Sequence, residues 1–290
     1  RSQLLARWLG DKLQFDESHL ILDYGCGDCS ALCSFAEVFP KAQLFGYEIE
    51  DIKRPKIRSL PNFQKLIVSD KFEPSQQFDF ISLIHCLEHL DDPISVLKNI
   101  YNYVSDEGYV FIEVPDVKMS NYDILIADHV SHFSLDLLSE ILRLSGFEIV
   151  EASSNVLVKE LSILAKKVDA SNGSIRVNQS RVEEHKFHIS QLIANHIRTV
   201  DMCRELMNNH DKLGIFGSSN SAMWLWGELD CKVKLFVDED KSKHHENSNF
   251  RVVAPEMVEA GYVILIPLNN DIANIISTKY SSNNVQYICV

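Results

Sequence analysis

Asp23-Tyr24-Gly25-Cys26-Gly27 sets an acid two residues ahead of a pair of closely spaced glycines. The glycines let the backbone turn tightly against a ligand, and a helix that follows aims its free N–H groups at the same place. A phosphate cradle presents bare amides, and an acid at its mouth would repel a pyrophosphate. Asp23 therefore suits a nucleotide-type ligand with a cationic end. Acids and imidazoles recur where later apolar runs stop: Glu48, Asp70, His85 with Glu88 and His89, and then Asp128-His129. A carboxylate closing the second run, as Glu48 does, can accept two ribose hydroxyls. A histidine beyond the last run has the right titration range to take a proton near neutral pH.

These groups need strands to hold them. Ile21–Tyr24, Leu44–Glu48, Leu66–Asp70, Phe78–Ile84 and Tyr109–Pro115 are apolar runs that read as buried parallel strands. Asp92-Pro93 caps and starts a helix carrying Ile94, Val96, Leu97 and Ile100. Ser134 reads as the N-cap of another, with Leu135, Leu138, Ile141 and Leu142 at helical spacing. From Gln179 to His210 there is no Gly or Pro, and Ile189, Ile193, Ile197, Val200, Cys203 and Met207 form the apolar stripe of a long helix. Beyond it Lys212–Asn220, Lys234–Asp238 and Val263–Pro267 give a second β-α-β pattern, with Val252–Glu256 opening a short helix. The expected organisation is a domain over 1–178, a connector helix over 179–211 and a smaller Rossmann-like α/β domain over 212–290.

The D-x-G-x-G pattern resembles motif I of the class I S-adenosylmethionine-dependent methyltransferases, with Cys29 where a third small residue is usual. Phe78-Asp79-Phe80-Ile81 leading through Leu87-Glu88-His89-Leu90 to Asp92-Pro93 is similar to that family's fourth-strand segment. The resemblance implies an α/β Rossmann-like fold, a mostly parallel sheet with an antiparallel last strand near Leu161–Ala165, and S-adenosylmethionine as cofactor. It assigns the cofactor to Asp23, Tyr24, Gly25, Cys26, Gly27, Glu48, Asp70 and His85, with Glu48 on the ribose and Asp70 near the adenine amino group. Glu88 and His89 are expected to close the loop over it. Asp128-His129-x-x-His132-Phe133-Ser134 resembles the E-H-x-x-Y-F-S segment of sugar C-methyltransferases that act on nucleotide-linked keto-deoxysugars. That likeness implies His129 as general base, Asp128 in the place of the acid, and Tyr122 as a donor to the developing oxyanion. Asn172–Val177 is similar to the G-G-S-L-R-V element of the same proteins. Their C-terminal domain resembles residues 212–290 more loosely, and the lysine of its G-A-x-x-K-G turn is missing here.

Composition narrows the field. A net charge of −13 argues against tracking a phosphate backbone, so nucleic acid is not the expected partner. No apolar run approaches the roughly 20 residues needed to span a bilayer, and no signal peptide is visible, so a cytoplasmic protein with no membrane partner is expected. The chain opens on Arg1 rather than Met, which leaves a preceding segment open. The seven cysteines are scattered and read as reduced thiols. Cys26-x-x-Cys29 with Cys33 lacks a second knuckle, His129-x-x-His132 and His244-His245 lack partners, and no metal is expected. In the second domain Gly214-x-x-Gly217, with Asp238 in the place of a ribose contact, is a poor fingerprint for a nicotinamide cofactor, so a substrate-clamping or dimerising role is expected, although the amides of Ser218 and Ser219 would fit a nucleotide-sugar diphosphate. The expected activity is methyl transfer to a small molecule, foremost a carbon of a nucleotide-linked keto-deoxysugar, by a monomer or homodimer. An O- or N-methyltransferase on another metabolite and a non-catalytic S-adenosylmethionine-binding protein are the competing readings.

Overall fold

The structure is a computed structural model that describes residues 1–50, 57, 60–169, 178–282 and 284–290. The chain divides into two compact units, Arg1–His185 and Lys186–Val290.

In the first unit, helix α1 (Ser2–Gly10) precedes strand β1 (Leu20–Tyr24), α2 (Ser30–Val38), β2 (Gln43–Glu48), β3 (Phe63–Val68) and β4 (Phe78–Ile84). Helix α3 (Pro93–Tyr103), β5 (Val104–Pro115), α4 (Leu135–Leu144), β6 (Phe147–Ser153) and β7 (Glu160–Lys167) complete it. The sheet order is β3-β2-β1-β4-β5-β7-β6. Strands β1 to β5 are parallel, and β7 runs antiparallel to both β5 and β6, as expected of the last strand. The period-two geometry of the strands sends successive side chains to opposite faces, so Ile21, Leu44 and Phe80 join a core with α1 and α2. Leu22, Phe45 and Ile81 join the core on the other face, with Leu97 of α3 and Leu138 of α4. The order reverses direction beside β1 and β4, and in such sheets ligands bind outside the carboxyl ends of the strands at that point.

Asp92 caps α3 as its sequence implies, accepting from the Ser95 amide at 3.0 Å with Pro93 in the first turn. Ser134 occupies the N-cap position of α4 but its side chain makes no capping bond; it is packed into the interior instead. The segment Asn172–Val177 lies outside the described residues.

Helix α5 (Gln179–Asn209) has the expected length, but its buried row is Leu192, His196, Val200 and Cys203. Ile193 and Ile197, assigned to the stripe from spacing, are about half exposed. Val200 and Cys203 are common to both rows; one turn earlier the buried positions are shifted by one residue, and the His196 ring packs against Trp224 with centroids 5.1 Å apart.

The second unit builds a six-stranded sheet from β8 (Leu213–Phe216), β9 (Leu235–Val237), β10 (His245–Glu246), β11 (Arg251–Val253), β12 (Val263–Ile266) and β13 (Gln286–Cys289). Its order is β10-β11-β9-β8-β12-β13, parallel except for the β10–β11 pair. Helices α6 (Asn220–Glu228) and α7 (Asn270–Tyr280) follow β8 and β12. Val252 and Val253, read as leading into a helix, form β11, and only a single tight turn over Pro255–Met257 follows.

Candidate active site

Asp23 stands near the end of β1 with Ser82 of β4 as its register partner, and only 2% of its surface is exposed. The Ser82 hydroxyl donates to Asp23 Oδ1 at 2.6 Å. Burial pushes the carboxyl up to about 7; the Ser82 hydrogen bond opposes this, and Glu48 and Asp28 add to the rise. A carboxylate so poor in solvent is a site for a positively charged group.

The turn beyond it is built to bring backbone close. Gly25 and Gly27 have φ of +73° and +48°, and Cys29, at the helix start, is also left-handed. A Cβ on Gly25 would come within 2.5 Å of Cys86 Sγ. The amides of Gly25 and Cys26 donate to the Tyr47 carbonyl at 2.9 and 3.1 Å, hanging the turn on β2. Glu48, the last residue of β2, accepts from the Gly27 amide at 2.9 Å and from Ile49 at 3.0 Å, so its carboxylate lies against the glycine turn. Tyr24 stacks on Tyr47 at 4.7 Å and edge-on to Phe72 at 5.0 Å, and burial pushes its hydroxyl pKa up. Cys26 and Cys29 are buried, with sulfurs 3.8 Å apart. Asp70 is exposed, two residues beyond the end of β3.

A second group of side chains gathers past β4. His85 takes a left-handed φ of +51°, its amide donating to the Glu113 carbonyl. Its Nδ1 lies 3.0 Å from Glu88 Oε1 and its Nε2 3.7 Å from Glu160 Oε2, and the Arg1 guanidinium also meets it. Arg1 pairs with Glu160 Oε1 at 2.5 Å. Glu113, on β5, is fully buried and receives the Ser162 hydroxyl at 2.5 Å. Burial first, and Glu160 after it, lift the Glu113 carboxyl to about 7; burial raises Glu160 as well.

The loop between β5 and α4 folds over this group. The Glu88 carbonyl accepts from the amides of Val130 and Ser131 at 2.9 and 3.1 Å, which brings His129 to His89. The two rings meet edge-on with centroids 4.8 Å apart. His129 Nδ1 is 2.7 Å from Asp123 Oδ1, and His132 Nδ1 is 2.8 Å from Asp123 Oδ2. Asp123 is 2% exposed. The carboxylate on His129 Nδ1 is thus that of Asp123, a residue the motif does not include. Asp128 is exposed, and its contacts are with His89 Nδ1, through its carbonyl at 3.0 Å and its carboxylate at 3.4 Å. Tyr122 is half-buried at the head of the short turn Asp123–Leu125. No motif marks Asp123; its one signal in the sequence is an acid six residues before the histidine, a separation no regular element would close.

A family model described as a methyltransferase domain matches residues 2–152. The chain belongs to this methyltransferase family. Its cofactor is S-adenosylmethionine, and the buried Asp23 carboxyl beside a close-approach glycine turn fits that cationic, nucleoside-bearing molecule. The methyltransferase is 27% identical over 110 residues to (S)-coclaurine N-methyltransferase of Papaver somniferum, a match covering 36% of this chain and 31% of that protein. The chain therefore spans about a third of the length of that curated relative. Among solved structures, a chain in the complex of the Haloferax volcanii Trm112 methyltransferase activator with its methyltransferase partner superposes with a TM-score of 0.50 at 14% identity. That superposition covers 58% of this chain and 91% of the other. A SAM-dependent methyltransferase from Aquifex aeolicus gives 0.46 at 16% identity, covering 56% and 89%.

Proposed function

We propose that this methyltransferase methylates a small molecule bound beyond the ends of β4 and β5, with His129 taking the acceptor's proton. The observation that carries the reading is the Asp123–His129 pair, 2.7 Å apart and largely buried, in a loop tied by hydrogen bonds to the Glu88 carbonyl beyond β4. A carboxylate on Nδ1 fixes the tautomer and leaves the other ring nitrogen to act as base.

On this reading Asp23 and the turn of Tyr24, Gly25, Cys26 and Gly27 hold the charged end and the backbone-proximal part of the cofactor. Glu48 would exchange its amide contacts for the ribose hydroxyls, Asp70 would meet the adenine edge and His85 the region near the acceptor. When bound, the cofactor supplies a methyl group on a cationic sulfur, an electrophile that needs an acceptor held in line. The chain's task is then to hold that acceptor, exclude water and remove its proton. A carbon next to a keto group, as in a nucleotide-linked keto-deoxysugar, gives His129 a proton to remove and Tyr122 an oxyanion to meet. The likeness of Asp128–Ser134 to the sugar C-methyltransferases supports that acceptor. A second reading, an amine acceptor, is favoured by the buried carboxylates Glu88 and Glu113, and it agrees with the name of the Papaver somniferum relative.

Product NMR after incubation with S-adenosylmethionine and nucleotide-linked keto-deoxysugars should show a new carbon-bound methyl. A methylamino signal from amine acceptors instead would move the assignment to nitrogen. His129→Gln and Asp123→Asn should lower kcat by about 10²–10⁴-fold with cofactor affinity nearly unchanged, whereas Asp128→Asn should keep most of the activity. Turnover by His129→Gln close to that of the unaltered protein would remove the base assignment.

A further inference from the structure

We propose that Glu88, His89 and His129 form a binding site for a divalent transition-metal cation at the acceptor end of the methyltransferase site. One ligand atom from each lies within 4.8 Å of the other two. Ligands about 2.1 Å from a shared tetrahedral cation stand about 3.4 Å apart, so closing the site takes up to about an ångström of movement by each side chain. Two imidazoles and one carboxylate, with positions left open, is a donor set that holds zinc or ferrous iron.

The surroundings of each ligand are those a cation site requires. Metal-bound histidines commonly give their other ring nitrogen to a carboxylate or a backbone carbonyl, which fixes the ring and leaves one nitrogen for the metal. His129 places Nδ1 against Asp123 Oδ1 at 2.7 Å, and His89 places Nδ1 against the Asp128 carbonyl at 3.0 Å. Each ring therefore keeps Nε2 for a ligand. Glu88 is 1% exposed; its Oε1 meets His85 Nδ1, while its Oε2 is buried with no hydrogen-bond partner among the described residues. A buried carboxylate oxygen without a donor is costly, and a cation removes that cost. His89, 36% exposed, lies at the solvent side and provides the way in. The same carboxylate–histidine network thus explains why Asp123, Glu88 and two loops converge here, and not only how His129 is oriented.

The proposal depends on the preceding reading only for what the cation acts on. His129 has one nitrogen left over from Asp123, so it holds the cation or takes a proton and not both: with the cation bound it is a ligand and the proton transfer is blocked, and without it the Asp123–His129 pair is the base. Binding can be tested with no acceptor in hand. The full chain, stripped with a chelator, is titrated with Zn²⁺ by calorimetry and with Co²⁺ by visible absorption. One site per chain is expected, with the ligand-field bands of a nitrogen- and oxygen-bound Co²⁺. Glu88→Gln, His89→Ala and His129→Ala should each weaken binding at least tenfold, and Asp123→Asn about 10–100-fold. His244→Ala with His245→Ala, remote in sequence, should leave it unchanged. Circular dichroism and cofactor titration on each variant separate loss of the site from loss of the fold. Zn²⁺ binding that is absent, or that survives all three ligand replacements, overturns the proposal and leaves the base assignment standing. Metal binding at this site together with full turnover by His129→Gln would instead retain the site and remove the base.

Discussion

At Asp23 burial meets a proposed role in holding the cofactor. An acid raised from 3.8 to about 7 by the fold favours the folded state below pH 3.8 and gives that advantage up as pH climbs toward 7. At pH 8 the ionised carboxyl therefore works against the fold by on the order of 4 kcal/mol as an upper bound. Asp23→Asn, which cannot ionise, should raise the melting midpoint at pH 8 and weaken S-adenosylmethionine binding. In the unaltered protein a bound cation favours the carboxylate, so cofactor affinity should fall roughly tenfold from pH 8 to pH 6. Calorimetric titration at both values tests this. A flat profile, or one shared with Asp23→Asn, would show that Asp23 does not meet the cofactor's charge.

Among elements, α3 and the loop after β5 contrast local with distant control. Asp92-Pro93 is a cap by its own chemistry, and the fold uses it as one. Its hydrogen bonds from Ser95 hold the carboxyl below the ordinary range, so the stabilisation is present above pH 3.8 and fades as pH falls below it. Asp92→Ala should lower the melting midpoint by about 2–4 °C at neutral pH, with the difference shrinking in acid. An equal difference at every pH would mean that packing, not the charged cap, was lost. The loop carrying Asp123, His129 and His132 has no such local rule. Its shape comes from the Glu88 carbonyl and the shared Asp123 carboxylate, groups that spacing alone does not bring together. Helix α5 shows the same limit: its length was legible, while the burial of Leu192 and His196 in place of Ile193 and Ile197 was not.

At the scale of the whole molecule, each unit has its own sheet and its own cores. We propose accordingly that the units behave as separate domains: a cofactor-binding domain and a smaller Rossmann-like one, joined through α5. Scanning calorimetry should then resolve two transitions, and S-adenosylmethionine at a hundred times its Kd should raise only one, by about 2.7 kcal/mol of stabilisation. A single transition that shifts as a whole would refute independent domains. In the second unit the acid that a bound nucleotide would use is partly taken up internally. Asp238 accepts from Ser218 at 2.8 Å and pairs with Lys243 at 3.3 Å, so a ribose would have to displace Ser218.

Strand positions, the glycine turn and the acids that end β1 and β2 were readable from the amino acids because each depends on near neighbours: apolar runs, two glycines, an acid at a fixed offset. The same locality made the methyl donor legible, since the residues proposed to hold it follow one another along successive strand ends. The partner of His129 was not legible, because six residues of irregular loop separate it from Asp123 and only the folded path closes that gap to 2.7 Å. Nor did spacing disclose that Glu88 and His89 meet His129 across about forty positions of chain, or that a buried oxygen there lacks a donor among the described residues. Local pattern determines which residues can turn, cap or bury; burial, charge and pairing between distant loops are properties of the folded chain alone, and they decide what the acceptor end of this site can do.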